Sequence, residues 1–290
     1  MIQHTSSKQL KEAIRPLLSA MTSFSMSAVK YELNELLTKD ACIHMCYPFG
    51  DIVGPARWNQ LCFEALLKAF PDLERRDMII IAGDTPEGNQ WVGCMGNYMG
   101  TFLFPFLNIP PTGHLAHMRY HEFYKFREKK VVEIQAIWDL PELMMLTNAW
   151  PMAPQLGTYM CTPSPMSGDG LTTNGDGSKS MQIVKDMLNQ MCRYPGNPDP
   201  RVMKLEKYWH PKFNWYGPAG IGSSRGIKGF RNWHQKPFLR AMPDRTLDEN
   251  AAVLSQWIAE GPYVAETGWP NMRMTLQNDG WMGIPPVGKE

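Results

Sequence analysis

The sequence has no uninterrupted apolar run approaching the roughly 20 residues needed to cross a bilayer. Its N-terminus has no signal-peptide core, because Lys8, Lys11, Glu12 and Arg15 break up the apolar positions between Met1 and Ala20. It also lacks a surplus of charge of either sign. With 29 Lys and Arg against 28 Asp and Glu, no concentrated basic surface is available to neutralise phosphates. The six cysteines, Cys42, Cys46, Cys62, Cys94, Cys161 and Cys192, make no disulfide framework, which fits a reducing compartment. The glycines from Gly217 to Gly229 lack the Gly-Lys-Ser/Thr ending of a phosphate loop. These absences predict a cytoplasmic protein with no nucleic-acid, nucleotide or membrane partner.

What is present is a globular composition, 43% hydrophobic and 20% charged, in a chain long enough for two ordinary domains. Its 21 methionines suit an irregular core or an adaptable apolar pocket. Cys42, His44 and Cys46 alternate, so a strand would put all three on one face. They could be three corners of a zinc site, but same-face strand residues fan out and no fourth ligand is evident. The expectation is no metal.

Self-similarity is the strongest signal. Ala69-Phe70-Pro71-Asp72 recurs as Ala241-Met242-Pro243-Asp244, 172 residues on, and Ile109-Pro110-Pro111-Thr112-Gly113 recurs as Ile284-Pro285-Pro286-Val287-Gly288, 175 residues on. Tyr47-Pro48-Phe49-Gly50 is answered by Trp215-Tyr216-Gly217-Pro218, and Met95 to Met99 more loosely by Glu266 to Pro270. This predicts a tandem duplicate, with module one over 1–149 and module two over 181–290. Between them, 150–180 is rich in Pro, Gly, Ser and Thr, the composition of an extended or flexible linker.

Helical spacing covers Ser6 to Ala20, Ser27 to Leu37 and Pro55 to Phe70. Strands are predicted at Met78 to Ala82, Gln90 to Tyr98, Leu115 to Phe126 and Val131 to Asp139, the last two joined by the turn Arg127-Glu128-Lys129-Lys130. A short helix from Pro141 to Asn148 closes the module. Module two predicts helices at Met181 to Cys192, Arg201 to Trp209 and Ile227 to Met242, with strands near Phe213, Val253 and Val264. Helices followed by an antiparallel sheet make an α+β fold in both modules. A counterpart of Asp139 would fall beyond Glu290, so module two lacks its last two strands. That leaves an unpaired strand edge from Val264 to Met274 and uncovered apolar surface on the helix before it. A homodimer or an intramolecular contact between modules would cover them, unless the chain is a shortened form of a longer protein.

Phe70-Pro71-Asp72, Gly83-Asp84, Gly100-Thr101, Ile109 to Gly113, Val132-Glu133 and Trp138-Asp139 together resemble the SnoaL-like polyketide cyclases. Arg225-Gly226-Ile227-Lys228-Gly229-Phe230 and Pro243-Asp244-Arg245 resemble the same family in module two. The resemblance implies a nuclear-transport-factor-2-like fold, in which a curved sheet and N-terminal helices enclose one pocket. It also implies an intramolecular aldol ring closure run without metal or organic cofactor, by an acidic residue at the end of the last long strand. Asp139 holds that place.

Asp139 follows the apolar run Ile134 to Trp138, where burial would disfavour its charged form and suit it to remove a proton beside a carbonyl. It could equally cap the helix that begins at Leu140-Pro141. His121 is the preferred acid partner, and the hairpin register decides its face. Pairing Phe126 with Val131 sets Tyr120 opposite Ile137. Pairing Arg127 with Val131 sets His121 opposite Ile137 and Arg119 opposite Asp139. Tyr47, Trp58, Phe63, Trp91 and Trp138 are candidate pocket walls, with Arg119 and Tyr120 beside them; each could instead be plain core. Tyr216 and His234 belong to an aromatic and imidazole cluster in module two that has no obvious base. The reading is therefore a cofactor-free pocket enzyme, cyclase-like or isomerase-like, acting on an apolar small molecule. The alternatives are a hydrolase or dehydratase using the same carboxylate, and a non-catalytic binding or dimerisation module.

Overall fold

A computed structural model describes residues 6–193, 199–244, 255–269, 274–278 and 280–287. The chain divides into two compact units, the first made of 1–149, 163–178 and 256–267, the second of 150–162, 179–255 and 268–290.

Unit 1 opens with α1 (Ser7–Thr22), started by Ser6 and Gln9 in a reciprocal capping box and burying Leu10, Ile14, Leu17, Leu18 and Met21 along one stripe. It continues through α2 (Met26–Leu36), β1 (Leu37–Met45) and β2 (Gly50–Val53). Gly54, at φ +84°, turns the chain into α3 (Pro55–Trp58), where Pro55 occupies the first helical turn. A π turn at Asn59–Phe63 then leads into α4 (Glu64–Ala69). β3 (Glu74–Asp84), β4 (Gln90–Thr101), β5 (Leu115–Arg127), β6 (Lys130–Trp138) and α5 (Leu140–Leu146) follow.

The strands form one sheet in the order β2-β1-β6-β5-β4-β3. It is α+β, as the sequence predicts, but not wholly antiparallel. β1 runs parallel to β6, pairing Ile43 with Ile134. A parallel pair needs a long connection, and here the whole stretch from β2 to β5 supplies it. Bulges between Asp77 and Ile79 and between Lys125 and Phe126 bend the sheet. Its inner face packs on the helices through Ile43, Tyr98, Tyr120, Ile134 and Trp138.

Unit 2 contains α6 (Ser178–Met191), β7 (Asn214–Tyr216), β8 (Ser223–Arg225), α7 (Gly226–Phe230), a π turn at Arg231–Gln235 and α8 (Lys236–Ala241). The helix expected from Arg201 to Trp209 is instead two short 3-10 turns, Pro200–Met203 and Leu205–Lys207. Lys204 separates them with a left-handed backbone at φ 45°. Met191, Met203, Leu205, Phe230 and Leu239 make a small core. Among the described residues the sheet of this unit is β7 and β8 alone, so the curved sheet expected of module two is not found there. The strand expected near Val253 lies outside the described residues, as do Arg245, Pro270 and Gly288.

Local bonding recurs between the units. Gly54 donates to the Ala41 carbonyl at 2.9 Å, and Gly226 to that of Phe213 at 2.8 Å. Phe70 bonds back to Leu66, and Met242 to Phe238. The Asp72 carboxylate accepts from Thr101 N–H at 2.6 Å, and that of Asp244 from Thr275 N–H at 2.9 Å. Phe106 and Ile109 exchange two backbone bonds, and so do Trp281 and Ile284.

The strand expected near Val264 is β10 (Tyr263–Thr267), which forms a hairpin with β9 (Gln256–Glu260) that belongs to unit 1. It lies on the outer face of the sheet, with Ile258 packed on Ile81 and Trp91. A Cβ at Gly83 or Gly93 would stand in ordinary contact with Ile258, at 3.8 and 3.5 Å. Glu260 is buried, accepts from Ala82 N–H at 3.2 Å and pairs with Lys11 at 2.6 Å. Trp91 Nε1 donates to Gln256 at 3.1 Å, and Thr267 donates to Gln135 at 2.7 Å. The segment 163–178, read from composition as linker, also joins this face, where Ile80 N–H bonds to the Gly170 carbonyl at 2.9 Å. Among the described residues, no helix is long and apolar enough to cross a membrane.

Candidate functional site

The β5–β6 hairpin decides which candidate side chains can meet. At its turn Phe126 pairs with Val131, but the bulge between Lys125 and Phe126 shifts the rest by one residue. Tyr120 therefore faces Trp138, and His121 faces Ile137. Beyond the strand end, Asp139 N–H bonds to the Arg119 carbonyl at 2.8 Å. Tyr120, Glu122 and Tyr124 point inward with Trp138. His121 is exposed on the other face, the one on which Arg119, two residues before it, meets Asp139.

Asp139 is 7% exposed and pairs with the Arg119 guanidinium at 3.2 Å. It occupies the cap position of α5, yet its side chain makes no capping bond. The first turn of α5 supplies a further acid, Glu142, which accepts from Arg119 N–H at 2.7 Å and pairs with His117 at 3.2 Å. The outward side of the sheet end thus carries two buried carboxylates, one guanidinium and one imidazole. Sequence reasoning missed Glu142 and His117. Their signal was the spacing of Asp139 and Glu142 across the first turn of a helix, opposite alternate residues of β5.

The inner face holds a second polar group that sequence reasoning missed entirely. Glu122 is fully buried and accepts from Arg75 at 2.6 Å, Tyr124 at 2.6 Å, Tyr98 at 2.8 Å and Trp138 Nε1 at 2.8 Å. Burial alone would raise its pKa, but the Arg75 charge and these donors outweigh it and hold the carboxyl below its ordinary value. Asp77 accepts from Arg75 at 2.9 Å and from Tyr120 at 2.7 Å. Burial drives the Tyr98, Tyr120 and Tyr124 hydroxyls well above their usual pKa, so they act as neutral donors. The clue was a charged residue at an inward register of β5, between Tyr120 and Tyr124.

Trp58, Phe63, Tyr98 and Trp138 pack ring against ring over this network, with Trp58 to Phe63 at 4.8 Å and Phe63 to Trp138 at 5.7 Å. Trp91 is not with them, since it lies on the outer face under Ile258. Tyr47 stands 91% exposed in the β1–β2 turn. In unit 2, His234 stacks on Trp215 at 4.1 Å, and Tyr216 accepts from Asn214 at 2.9 Å. Among the described residues no group of three or more His, Cys, Asp or Glu has a metal-binding arrangement. Cys46 leaves Cys42 and His44 to bond the Trp138 carbonyl at 3.6 Å.

Residues 18–145 match the family model of the SnoaL-like polyketide cyclases. The match runs from α1 through α5 and spans less than half of the chain. Solved structures resembling the chain include AclR, a candidate hydroxylase from Streptomyces galilaeus. It is 21% identical, with a TM-score of 0.43 over 52% of this chain and 92% of its own. IdmH, a candidate polyketide cyclase from Streptomyces antibioticus, is 22% identical, with a TM-score of 0.40 over 48% and 99%. A candidate SnoaL-like polyketide cyclase from Jannaschia sp. CCS1 is 20% identical, with a TM-score of 0.40 over 51% and 98%. No curated protein matches the chain. The SnoaL-like segment contains both polar groups described above, the Asp139–Arg119 pair and the Glu122–Arg75 network.

Proposed function

We propose that unit 1 is a cyclase-like or isomerase-like enzyme that removes a proton beside a carbonyl of an apolar small molecule, with Asp139 as base. The observation that carries this reading is the Asp139–Arg119 pair, both residues under a tenth exposed, at the strand end within the SnoaL-like segment. A buried carboxylate held beside a guanidinium can take the proton of a C–H next to a carbonyl, with the guanidinium at hand for the oxygen. Arg119 then takes the place that His121 or Tyr120 was expected to fill, stabilising the negative oxygen as the enolate forms. Ring closure follows when the substrate's two ends are held together.

The test is proton–deuterium exchange at the α-carbon of a set of aryl and alkyl ketones in heavy water, followed by NMR. Asp139→Asn should bring exchange down to the buffer rate; because it also leaves Arg119 buried without its counter-charge, exchange is read at a temperature where the melting curve shows the variant still folded. Exchange that survives in the variant refutes the base assignment. A second reading, a non-catalytic binding or dimerising module, is favoured by the rings of Trp58, Phe63, Tyr98 and Trp138, which fill the space between helices and sheet. It predicts ketone exchange at the buffer rate in the unmutated protein.

The same inference extends to the chain's history, as a tandem duplicate. Supporting it are the two π turns 172 residues apart, the glycine entries before them and the matching Asp–Thr bonds after them.

A further inference from the structure

The outward face of β1 carries a group of residues that the proposed function does not use. Cys42 and His44 are two apart on the strand and so share a face. Cys42 Sγ lies 3.5 Å from His44 Nε2, and His44 Nδ1 lies 2.7 Å from Asp51 Oδ1. Asp51 is the cross-strand partner of His44 on β2, so the hairpin register itself fixes the order thiol, imidazole, carboxylate. These residues adjoin a groove of about 520 Å³, a volume ordinary for a small-molecule site. Cys42 and His44 line it, with Thr38 and Val132 as further walls.

We propose that Cys42, His44 and Asp51 form a thiol-nucleophile site that takes an acyl group from a small polar ester or thioester. Each residue has the role its position allows: Cys42 as nucleophile, His44 as base, and Asp51 as the group that orients the imidazole through its other nitrogen. In the step, the Cys42 proton passes to His44 Nε2 as Sγ attacks the acyl carbon. A carbon–sulfur bond forms, the bond to the leaving oxygen or sulfur breaks, and His44 returns the proton to the leaving group.

The charges around the thiol fit a base-assisted step. Asp40 on β1 and Glu133 on β6 face this groove from two strands, Asp51 stands beside His44 on β2, and Cys42 pairs directly with Glu133. Opposite them stand Lys125 and Arg127 of β5 and, at the turn, Glu128 and Lys130. Burial first, then the charges of Asp51 and Glu133, push the Cys42 thiol up. It is therefore held as a neutral thiol, whose reaction depends on a base at the moment of attack. The charged lining also separates this site from an apolar substrate, and it shares no residue with the Asp139–Arg119 pair.

The experiment uses the full chain and p-nitrophenyl acetate at neutral pH, with acetylation mapped by peptide mass spectrometry. Cys161, which is exposed, is the internal reference thiol. Cys42 should be acetylated ahead of Cys161. His44→Gln should slow Cys42 by about a hundredfold, the low end of what a positioned base supplies, and leave Cys161 unchanged. Labelling of Cys161 first, or a Cys42 rate indifferent to His44→Gln, overturns the proposal. If His44→Gln does not fold, Asp51→Asn at an exposed position decides the matter. A slower Cys42 with Cys161 unchanged supports the site, and an unchanged Cys42 refutes it.

Discussion

From Gly54 to Phe70, and again from Gly226 to Met242, the chain turns through a positive-φ glycine, a short helix, a π turn and a second short helix. In unit 1 this path places Trp58 and Phe63 at zero exposure above a buried ion network. In unit 2 it places Phe230 in a small core and leaves Trp233 52% exposed. Backbone geometry is thus set locally by glycine, helix starts and carboxylate–backbone bonds, whereas the size of the core depends on what covers it. A six-stranded sheet in unit 1 can isolate charges from water; the two short strands of unit 2 cannot.

The sharpest way to test that contrast is to remove a cation from each unit's ion pairs. Arg75→Met leaves Asp77 and Glu122 buried without their cation and should cost about 3–5 kcal/mol, whereas breaking the rim pair of Arg231 with Glu206, itself 59% exposed, should cost at most about 1 kcal/mol. Similar losses by urea melts would show that the sheet contributes no special isolation. Smaller in effect is Ile258→Ala, which removes the side chain seated on Ile81 and Trp91 and should cost about 2–5 kcal/mol. Hydrogen exchange at β9 and β10 reads this directly, and protection as strong as in the parent protein would mean that Ile258 does not hold the hairpin.

The least effect is expected where the two units are most alike. Asp72→Asn and Asp244→Asn should each cost about 1 kcal/mol or less, since Asp72 is exposed and Asp244 only half-buried. Hydrogen bonds from the side chain and then the N–H of Thr101 or Thr275 hold both carboxyls below their usual pKa. A depressed carboxyl stabilises the fold above its unfolded pKa, about 3.9, and that contribution is lost as pH falls through the lower folded value. Each variant should therefore differ from the parent at neutral pH and converge with it in acid. A gap that persists in acid would assign the effect to something other than the carboxylate charge.

Periodicity carried much of the fold of unit 1. Apolar stripes marked α1 and α2, and the charged turn between Phe126 and Val131 marked the β5–β6 hairpin. The parallel pairing of β1 with β6 left no such trace, because residues remote in sequence choose it. The site was legible only in part. Asp139 and Arg119 were both visible, but a single bulge beside Lys125 decides that they meet and that His121 lies on their side of the sheet and not on that of Tyr120. Strand alternation allows a bulge without announcing it. The capture of Ile258 by unit 1 was likewise hidden, since it joins residues remote in sequence.

The seating of Ile258 on Ile81 and Trp91 also bears on how the molecule can be divided. Unit 1 takes its last strands from beyond residue 255, and the chain leaves it twice and re-enters it once before then. No single cleavage point releases it whole. A fragment ending near Ala149 would carry Ile81, Trp91 and Phe123 with their partner missing, an adhesive face where the intact chain has a packed one. Whatever its origin, the later part of the sequence has become a component of the earlier part, so an insertion or deletion near β9 would be felt in a sheet that ends more than a hundred residues before it.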